Sequence, residues 1–317
     1  MKWKKRGLLF DVTQQPLPAG CIGFAQAPQA LVCDGYVRVF FSTRSRDAWG
    51  QYVSQVASAD CDPDMRRVLR VGGQVPIAPG GLGCFDEHGI FPFHVVRHEQ
   101  RVYGFTCGWS RRVSVPVETA IGVAVSTDDG RTFERIGPGP VMGPSLREPF
   151  LVGDPFVAVV DGRWHMWYIF GTAWIDAPSE PGPARVYKIA HATSADGLTW
   201  ARDGRASVAD AIGADECQAL PTVFALDGLW HMYFCYRYAT DFRTNPKRGY
   251  RLGYAWSRDL MTWRRDDAQA GLDVSAAGWD GEMICYPHVF RSGDRIFMLY
   301  NGNAFGRGGF GVAELER

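Results

Sequence analysis

The stretch Ser194-Ala195-Asp196-Gly197-Leu198-Thr199-Trp200 has close copies elsewhere in the chain. An earlier copy is Ser126-Thr127-Asp128-Asp129-Gly130-Arg131-Thr132-Phe133, and a later one is Ser257-Arg258-Asp259-Leu260-Met261-Thr262-Trp263. Each copy follows a short apolar run, and successive copies lie about 60 to 70 residues apart. A strand and turn that return at such a spacing are typical of a repeat architecture.

A second recurring element consists of two runs of alternating aromatic and aliphatic residues joined by a short polar tip. In the clearest pair, Trp164-His165-Met166-Trp167-Tyr168 after Asp161-Gly162 matches Trp230-His231-Met232-Tyr233-Phe234 after Asp227-Gly228. Asp-Gly between such runs is a strong hairpin signal. The five predicted hairpins have their tips at Asp34-Gly35, Arg97 to Gln100, Asp161-Gly162, Asp227-Gly228 and near Gly293.

Five hairpins, each followed by a third strand, predict five small antiparallel sheets. Because a sheet of three or four strands cannot bury both faces alone, a radial arrangement is favoured. We therefore predict an all-β fold, a single-domain five-bladed β-propeller whose outer strand Gly7 to Val12 closes the ring against Gly309 to Ala313. The predicted blades span approximately residues 21-75, 84-140, 150-205, 215-268 and 280-317. The loops Ala173 to Pro183 and Ala239 to Arg248 are expected over one face.

Composition limits the classes of partner. The chain has 317 residues with 34 Lys plus Arg and 34 Asp plus Glu, so the formal net charge is zero. A generic nucleic-acid-binding protein shows a basic excess, and we expect no nucleic-acid partner. The apolar run after the basic start is only Gly7 to Phe10, too short for a signal peptide, and no run is long enough to span a membrane. We expect a cytoplasmic protein without membrane insertion; the oligomeric state is left open.

The innermost strands of a propeller line its central channel, so the residues before each hairpin are the candidates for a site. In blades two to five these stretches hold an acid followed within a few residues by Pro. Blade one departs from this pattern, because Gln26-Ala27-Pro28-Gln29 carries amides where the others carry carboxylates. The candidate residues on these stretches are Asp86, Glu87, His88, Asp154, Glu216, Asp280, Glu282 and His288.

The repeat pattern, together with Gly153-Asp154-Pro155 and Glu216-Cys217, resembles the five-bladed propeller glycosidases of glycoside hydrolase families 32, 43, 68 and 130. Asp154-Pro155 resembles the Arg-Asp-Pro of family 32, although Gly153 stands in place of the Arg. This resemblance implies that Asp154 stabilises the transition state and that Glu216 is the general acid. The Asp-Pro-Asn that carries the third carboxylate in those enzymes is absent. By blade order Asp86 is its nearest candidate, and Ala27 occupies the alternative position on blade one.

Cleavage of a glycosidic bond needs one protonated carboxyl at the leaving oxygen and one ionised carboxylate opposite. The predicted function is therefore a carbohydrate-active enzyme that cleaves or transfers a glycosyl group through Asp86, Asp154 and Glu216 in the central pocket. Two alternatives stay open: a non-catalytic sugar-binding propeller, and a glycoside phosphorylase that uses inorganic phosphate. The basic residues that could hold phosphate near the expected mouth are Arg147, Arg237, Arg243, Lys247 and Arg248.

The remaining candidates are binding residues. The expected ligand is a carbohydrate, contacted by Glu87, His88, Asp280, Glu282 and His288 on the channel strands, by Arg147 and Arg237, and by Trp109 through stacking on a sugar face. The eight cysteines form no Cys-x-x-Cys pair and are expected to be buried thiols rather than metal ligands. We expect no cofactor and no catalytic metal; the resemblance to family 43 allows a central structural cation.

The Ser-x-Asp turns themselves also resemble the Asp-boxes of sialidases. A sialidase would in addition carry three central arginines and an amino-terminal Arg-Ile-Pro, and neither is visible in this sequence. Short polar side chains such as those of Asp128, Asp196 and Asp259 commonly bond the backbone amides of their own turn. We expect these residues to be architectural, and likewise His165 and His231, which occupy matching hairpin positions.

Overall fold

A computed structural model describes residues 1–178 and 182–316 of the chain. Within these ranges the chain forms five four-stranded antiparallel sheets, which are the five blades of a propeller. The strands, in chain order, are β1 (Trp3–Asp11), β2 (Gln26–Cys33), β3 (Tyr36–Arg46), β4 (Tyr52–Cys61), β5 (Val68–Val71), β6 (Ile90–His98), β7 (Arg101–Arg111), β8 (Val117–Ser126), β9 (Glu134–Arg135), β10 (Val152–Val160), β11 (Arg163–Ile175), β12 (Ala184–Ser194), β13 (Ala201–Ala206), β14 (Glu216–Leu226), β15 (Leu229–Tyr238), β16 (Arg251–Ser257), β17 (Arg264–Arg265), β18 (Cys285–Ser292), β19 (Arg295–Asn301) and β20 (Gly309–Leu315). Single helical turns lie at Pro246–Arg248, Asp267–Gln269 and Asn303–Gly306.

Blades one to four each use four consecutive strands, starting with β2, β6, β10 and β14 at the axis. Blade five combines β18, β19 and β20 with β1, which pairs antiparallel with β20 as its outermost strand. Phe10 of β1 stacks on Phe310 of β20, with ring centroids 5.2 Å apart, and also packs against Phe41 of blade one. The predicted five-bladed propeller and its closing strand are confirmed; the closing strand is longer than expected, Trp3–Asp11.

The hairpin tips explain why the inner strands pair in register. Asp161 and Gly162 have φ of 48° and 75°, and Asp227 and Gly228 have φ of 50° and 76°. Positive φ at both central residues is the type I′ turn, whose twist matches that of the flanking strands. The aromatic and aliphatic runs on either side can then bury alternate side chains between neighbouring blades.

The three Ser-x-Asp turns are architectural, as expected. The Asp196 carboxylate accepts hydrogen bonds from the Leu198 and Thr199 amides, both at 2.8 Å, and these contacts lower the pKa of Asp196 to about 2. Asp128 and Asp259 make the same contacts with their own turns. Each turn therefore fixes the step from the third strand of a blade to its outermost strand.

The innermost strands of all five blades share an irregularity in their pairing. Each changes register once, and the residue at this point precedes a proline. These five residues, here called the X-Pro positions, are Ala27, Phe91, Asp154, Leu220 and Tyr286. All but Phe91 have a positive φ, between 47° and 58°. Asp154 is the one carboxylic acid among the five.

The long loops behave partly as predicted. The loop expected at Ala173 to Pro183 begins only after Ile175, since β11 extends that far, and residues 179–181 lie outside the described residues. The loop between β15 and β16 places Phe242 and Arg243 at the central cavity. It therefore shapes the face on which the site lies.

Candidate active site in the central cavity

A cavity of about 370 Å³ lies at the axis, on the side where the X-Pro positions are found. All five blades contribute to its wall, through residues such as Arg44, Trp109, Asp154, Arg237 and Tyr286. A concave pocket of this size with a few polar groups among aromatic side chains is the usual form of a small-molecule site. The cavity is therefore the candidate functional site.

Asp154 is the acid of this cavity. It occupies the X-Pro position of blade three with φ of 49°, a left-handed conformation that Asp adopts more readily than most residues. The residue is only 8% exposed. Burial raises the pKa of Asp154 to about 7, although the charge of Arg185 and the amide of Leu220 partly offset the effect. Both protonation states are accessible near neutral pH, as general acid–base catalysis requires.

Arg237 is a buried cation whose partners are all neutral. Its guanidinium donates to the carbonyls of Tyr238 and Ala239 and to the hydroxyl of Tyr187, at 2.7, 3.3 and 3.0 Å. It lies over the ring of Phe242, with Cζ 3.5 Å from the centroid, and its Nε has no acceptor within the described residues. Although only 4% of Arg237 is exposed, none of its hydrogen-bond partners in the described chain is a carboxylate.

The cavity as a whole is positively charged. The ionisable groups that carry this charge are the carboxylic acid Asp154 and the arginines Arg44, Arg185 and Arg237, a formal excess of two positive charges. Within residues 1–178 and 182–316, Arg185 makes no side-chain hydrogen bond or ion pair; its Cζ lies 5.8 Å from the centre of the Tyr187 ring. A cavity of this charge favours an anionic ligand.

Tyrosines supply neutral hydrogen-bonding groups on the aromatic wall. The hydroxyls of Tyr187 and Tyr250 are 2.8 Å apart, and the ring of Tyr286 packs edge-on against those of Phe91 and Tyr250 at 5.6 Å. Burial raises the pKa values of Tyr187, Tyr250 and Tyr286, so these hydroxyls stay protonated at neutral pH. Flat rings that carry polar tips suit a ligand with both apolar faces and hydroxyl groups.

The structure does not bring Asp86, Asp154 and Glu216 together in the cavity. Of the three, only Asp154 lines it. Asp86 and Glu216 are fully buried and bind arginines on the outermost strands of their own blades, Arg135 and Arg265. The expected convergence of three carboxylates is therefore wrong, because the carboxylates of Asp86 and Glu216 bind arginines on the outermost strands instead of lining the cavity.

The same contact recurs in other blades. Glu148, just before β10, binds Arg202 on β13 of blade three, and Asp280, before β18, binds Lys5 on β1 of blade five at 2.7 Å. Blades two to five thus each contain one buried acid that joins the inner edge of the sheet to its outermost strand. We call this contact the acid–base brace. It explains why an acid stands before or at the start of each of these inner strands.

The environment of Glu216 is that of a fixed anion. It accepts from Arg265 at 2.5 Å, from Gln218 at 2.9 Å and from the Ala211 and Ile212 amides at 2.8 and 3.0 Å. Burial alone would raise the pKa of Glu216, but these hydrogen bonds outweigh it and the pKa is lowered. A general acid needs the opposite shift, so the surroundings of Glu216 do not suit the role that the resemblance implied.

Some of the other predicted binding residues line the cavity and the rest lie elsewhere. Trp109 and Arg237 line the cavity. The remaining six do not: Glu87, His88, Arg147, Asp280, Glu282 and His288. Glu87 binds the amide of Gly83, Arg147 and Glu282 are exposed, and His288 is buried on the axis beside His94 and Phe156.

Sequence reasoning missed several residues of the cavity. Arg44 and Arg185 lie on β3 and β12, strands that the search for channel-lining residues did not include. Tyr286 occupies an X-Pro position, so the dipeptide Tyr286-Pro287 was the signal that could have found it. Among the described residues, no cluster of three or more His, Cys, Asp and Glu side chains is arranged to hold a metal ion. The described part of the chain also contains no helix with the length and hydropathy of a membrane span.

The fold is the five-bladed propeller that is also found in solved structures of glycosidases and a glycoside phosphorylase. A protein described as a glycoside hydrolase superposes with a TM-score of 0.72 and 14% identity, covering 99% of this chain and 92% of that one. A β-1,2-mannobiose phosphorylase from Listeria innocua gives 0.70 and 13%, covering 100% and 97%. A thermostable family-43 glycoside hydrolase gives 0.67 and 15%, covering 95% and 92%. At these identities the likeness establishes the fold.

The chain also has relatives in sequence. No protein-family model matches it. Two proteins of Mycobacterium tuberculosis, uncharacterized protein MT1551 and uncharacterized protein Rv1502, are each 33% identical to it over 323 residues, with 100% of both chains covered. This protein belongs to their family.

Proposed function

We propose that this protein is a carbohydrate-active enzyme that transfers a glycosyl group between a saccharide and phosphate, with Asp154 as its acid. The proposal depends on one observation. The central cavity combines a single carboxyl group, whose pKa is about 7, with Arg185 and Arg237, which have no carboxylate partner in the described chain. That combination suits a reaction in which the second reactant is itself an anion.

Hydrolysis by two carboxylates fits the cavity less well. A glycosidase of that kind places two carboxyl groups about 5 to 10 Å apart around the scissile bond. Among the described residues Asp154 is the only carboxylate that lines the cavity, because the other acids of the inner strands belong to the acid–base braces. A phosphate oxygen can take the place of the missing carboxylate as the nucleophile.

The proposed step balances without a further reactant. A phosphate oxygen forms a bond to the anomeric carbon while the bond from that carbon to the glycosidic oxygen breaks. Protonated Asp154 gives its proton to the leaving oxygen, which becomes the hydroxyl of the released saccharide, and the other product is a glycosyl phosphate. Arg185 and Arg237 hold the phosphate and offset its charge, since guanidinium groups match phosphate geometry. The likeness of the fold to a protein named as a mannobiose phosphorylase supports this choice.

The test follows both directions of the reaction. Purified protein is incubated with disaccharides with and without phosphate, and, in reverse, with hexose 1-phosphates and monosaccharide acceptors while phosphate release is measured. We expect turnover that requires phosphate and is abolished in Asp154→Asn. Asp227→Asn is a matched control, because Asp227 also has a positive φ but lies exposed at a hairpin tip.

Each other outcome contradicts the proposal. Turnover that is independent of phosphate would indicate a hydrolase. Sugar binding by wild type and Asp154→Asn, with no turnover in either direction over the full panel, would indicate a binding module.

A further inference from the structure

Arg44 is a further cationic group of the cavity, and the proposed phosphate transfer does not use it. It lies on β3 of blade one, whereas Arg185 and Arg237 lie on blades three and four. The inner strand of blade one packs against those of blades two and five. Blade one therefore faces the junction of blades three and four across the axis, and Arg44 belongs to a separate part of the wall.

The partners of Arg44 are all neutral. Nη1 donates to Thr43 O at 3.3 Å and to Ser54 Oγ at 3.0 Å, and Nη2 donates to Gln26 Oε1. The rings of Phe24 and Phe91 flank the guanidinium, with Cζ 5.5 and 5.4 Å from their centroids. These contacts hold the group in one place but leave its charge uncompensated. Burial lowers the pKa of Arg44 to about 10, so it is still charged at neutral pH.

Donors remain available on this group. A guanidinium has five N–H donors, and three of them are used by the acceptors just described. Ser54 adds another donor. Its Oγ accepts from both Arg44 and Trp109 Nε1, at 3.0 and 2.9 Å, so both lone pairs are used and the hydroxyl proton can only be donated. Within the described residues, that proton has no acceptor.

Several well-buried guanidinium groups outside the cavity have a carboxylate partner. Arg38, Arg135, Arg202 and Arg265, all at least half-buried, each bind a carboxylate: Asp60, Asp86, Glu148 and Glu216 respectively. Burying a charge without a partner is costly. The absence of an acid beside Arg44 in the described chain indicates that a ligand supplies the negative charge.

We propose that Arg44 and Ser54 bind an oxyanion carried by the sugar itself, so that the glycosyl substrate is anionic. A carboxylate, as in a uronic acid, and a phosphate ester, as in a hexose phosphate, have the required chemistry. This inference rests on the proposed function, because it assumes that the glycosyl unit occupies the central cavity. It adds the class of sugar that the cavity selects.

Binding measurements test the inference without requiring turnover. Calorimetric titrations would compare methyl glucuronide and methyl galacturonide with their neutral glucoside and galactoside, and glucose 6-phosphate and mannose 6-phosphate with the free hexoses. We expect at least one anionic sugar to bind about 10- to 100-fold more tightly than its neutral counterpart, the range for a hydrogen bond to a charged group. The two arms distinguish a carboxylate from a phosphate ester.

Variants then assign the effect to these residues. Arg44→Gln should weaken binding of the anionic sugar about 10- to 100-fold more than binding of its neutral counterpart, and Arg44→Lys should retain part of the preference. Ser54→Ala, a smaller change, should reduce the preference even where Arg44→Gln folds poorly. Thermal unfolding of each variant checks the fold.

The failures of the two proposals are distinguishable. Equal binding of neutral and anionic sugars, or an equal loss of both in Arg44→Gln, would overturn the inference, and phosphate-dependent turnover of neutral glycosides would then leave the proposed function standing. Preferential binding of anionic sugars without phosphate-dependent turnover would support the role of Arg44 and Ser54 and contradict the proposed phosphorolysis. Binding of inorganic phosphate should be unaffected by Arg44→Gln; its loss would show that Arg44 holds phosphate rather than the sugar.

Discussion

The carboxylate of Glu216 accepts a hydrogen bond from Arg265 at 2.5 Å, and Arg265 lies on the outermost strand of the same blade. This acid–base brace gives Glu216 a structural task. We expect Glu216→Gln to lower the free energy of unfolding by roughly 3 kcal/mol, the low end for breaking a buried pair, because Arg265 keeps Asp267 as a partner at 2.8 Å.

Urea unfolding measures this loss, and the neighbouring variant Asp215→Asn, which alters a partly exposed acid, is the control. Ligand affinity of the folded protein should not change in Glu216→Gln. An unaltered stability combined with abolished turnover would instead identify Glu216 as a catalytic acid.

The stability of the protein should depend on the ionisation of Asp154. Its pKa is about 7 in the folded state, against an ordinary value of 3.8, so between these values the folded state holds a proton that the unfolded state has lost. Stability therefore falls as the pH rises from about 4 to 7, by on the order of 3 to 4 kcal/mol.

Asp154→Asn should remove this slope and be more stable than wild type at pH 8, since Asn also tolerates a positive φ. Unfolding midpoints at pH 5 and pH 8 measure the effect. Asp227→Asn should keep the wild-type slope; a wild-type slope in Asp154→Asn as well would show that Asp154 is not the group responsible.

Turnover should fall at high pH if Asp154 donates the proton. Because the protonated form is lost above about pH 7, kcat/KM for phosphorolysis should decline about tenfold per pH unit there. A profile measured from pH 5 to pH 9 decides the point. A rate that rises through pH 7 would assign Asp154 to the role of a base.

Arg185 is expected both to bind phosphate and to influence the pKa of Asp154. Its charge lowers the pKa of Asp154, and it makes no side-chain hydrogen bond within the described residues, so its removal should cost the fold little. Arg185→Gln should weaken phosphate binding by about 10- to 100-fold and move the pH limit of turnover upward. Phosphate titrations and the pH profile of the variant measure the two effects. Weaker phosphate binding with an unchanged pH limit would contradict the coupling.

The fold was predictable because its signals are local. Asp161-Gly162 and Asp227-Gly228 fix two hairpins through their backbone conformation alone, and the Ser-x-Asp turns bond their own amides. The site was predictable only in part. Asp154, Trp109 and Arg237 line the cavity as expected, but Asp86 and Glu216 do not.

The reason is side-chain direction. An acid near a proline marks the start of an inner strand. Only the residue directly before the proline lies at the change of register, and Asp154 is the one acid in that position. The arginines that bind Asp86, Glu148 and Glu216 follow 49 to 54 residues later in the chain. No local pattern reveals such contacts, although the similar spacing in three blades is a signal once the repeat is known.

Two X-Pro positions have the same backbone conformation but present different chemical groups to the cavity. Tyr286 has nearly the same backbone conformation as Asp154, with φ of 58° against 49°, and lines the same cavity, yet it presents a phenol instead of a carboxyl group. Phe91, Asp154 and Tyr286 line this cavity, whereas the Ser-x-Asp turns and the acid–base braces hold the outermost strands of the blades. A second acid introduced at position 286 would convert a one-carboxylate centre into a two-carboxylate centre without touching either. The number of carboxyl groups in the cavity thus depends on the side chain at single X-Pro positions and not on the residues that hold the blades together.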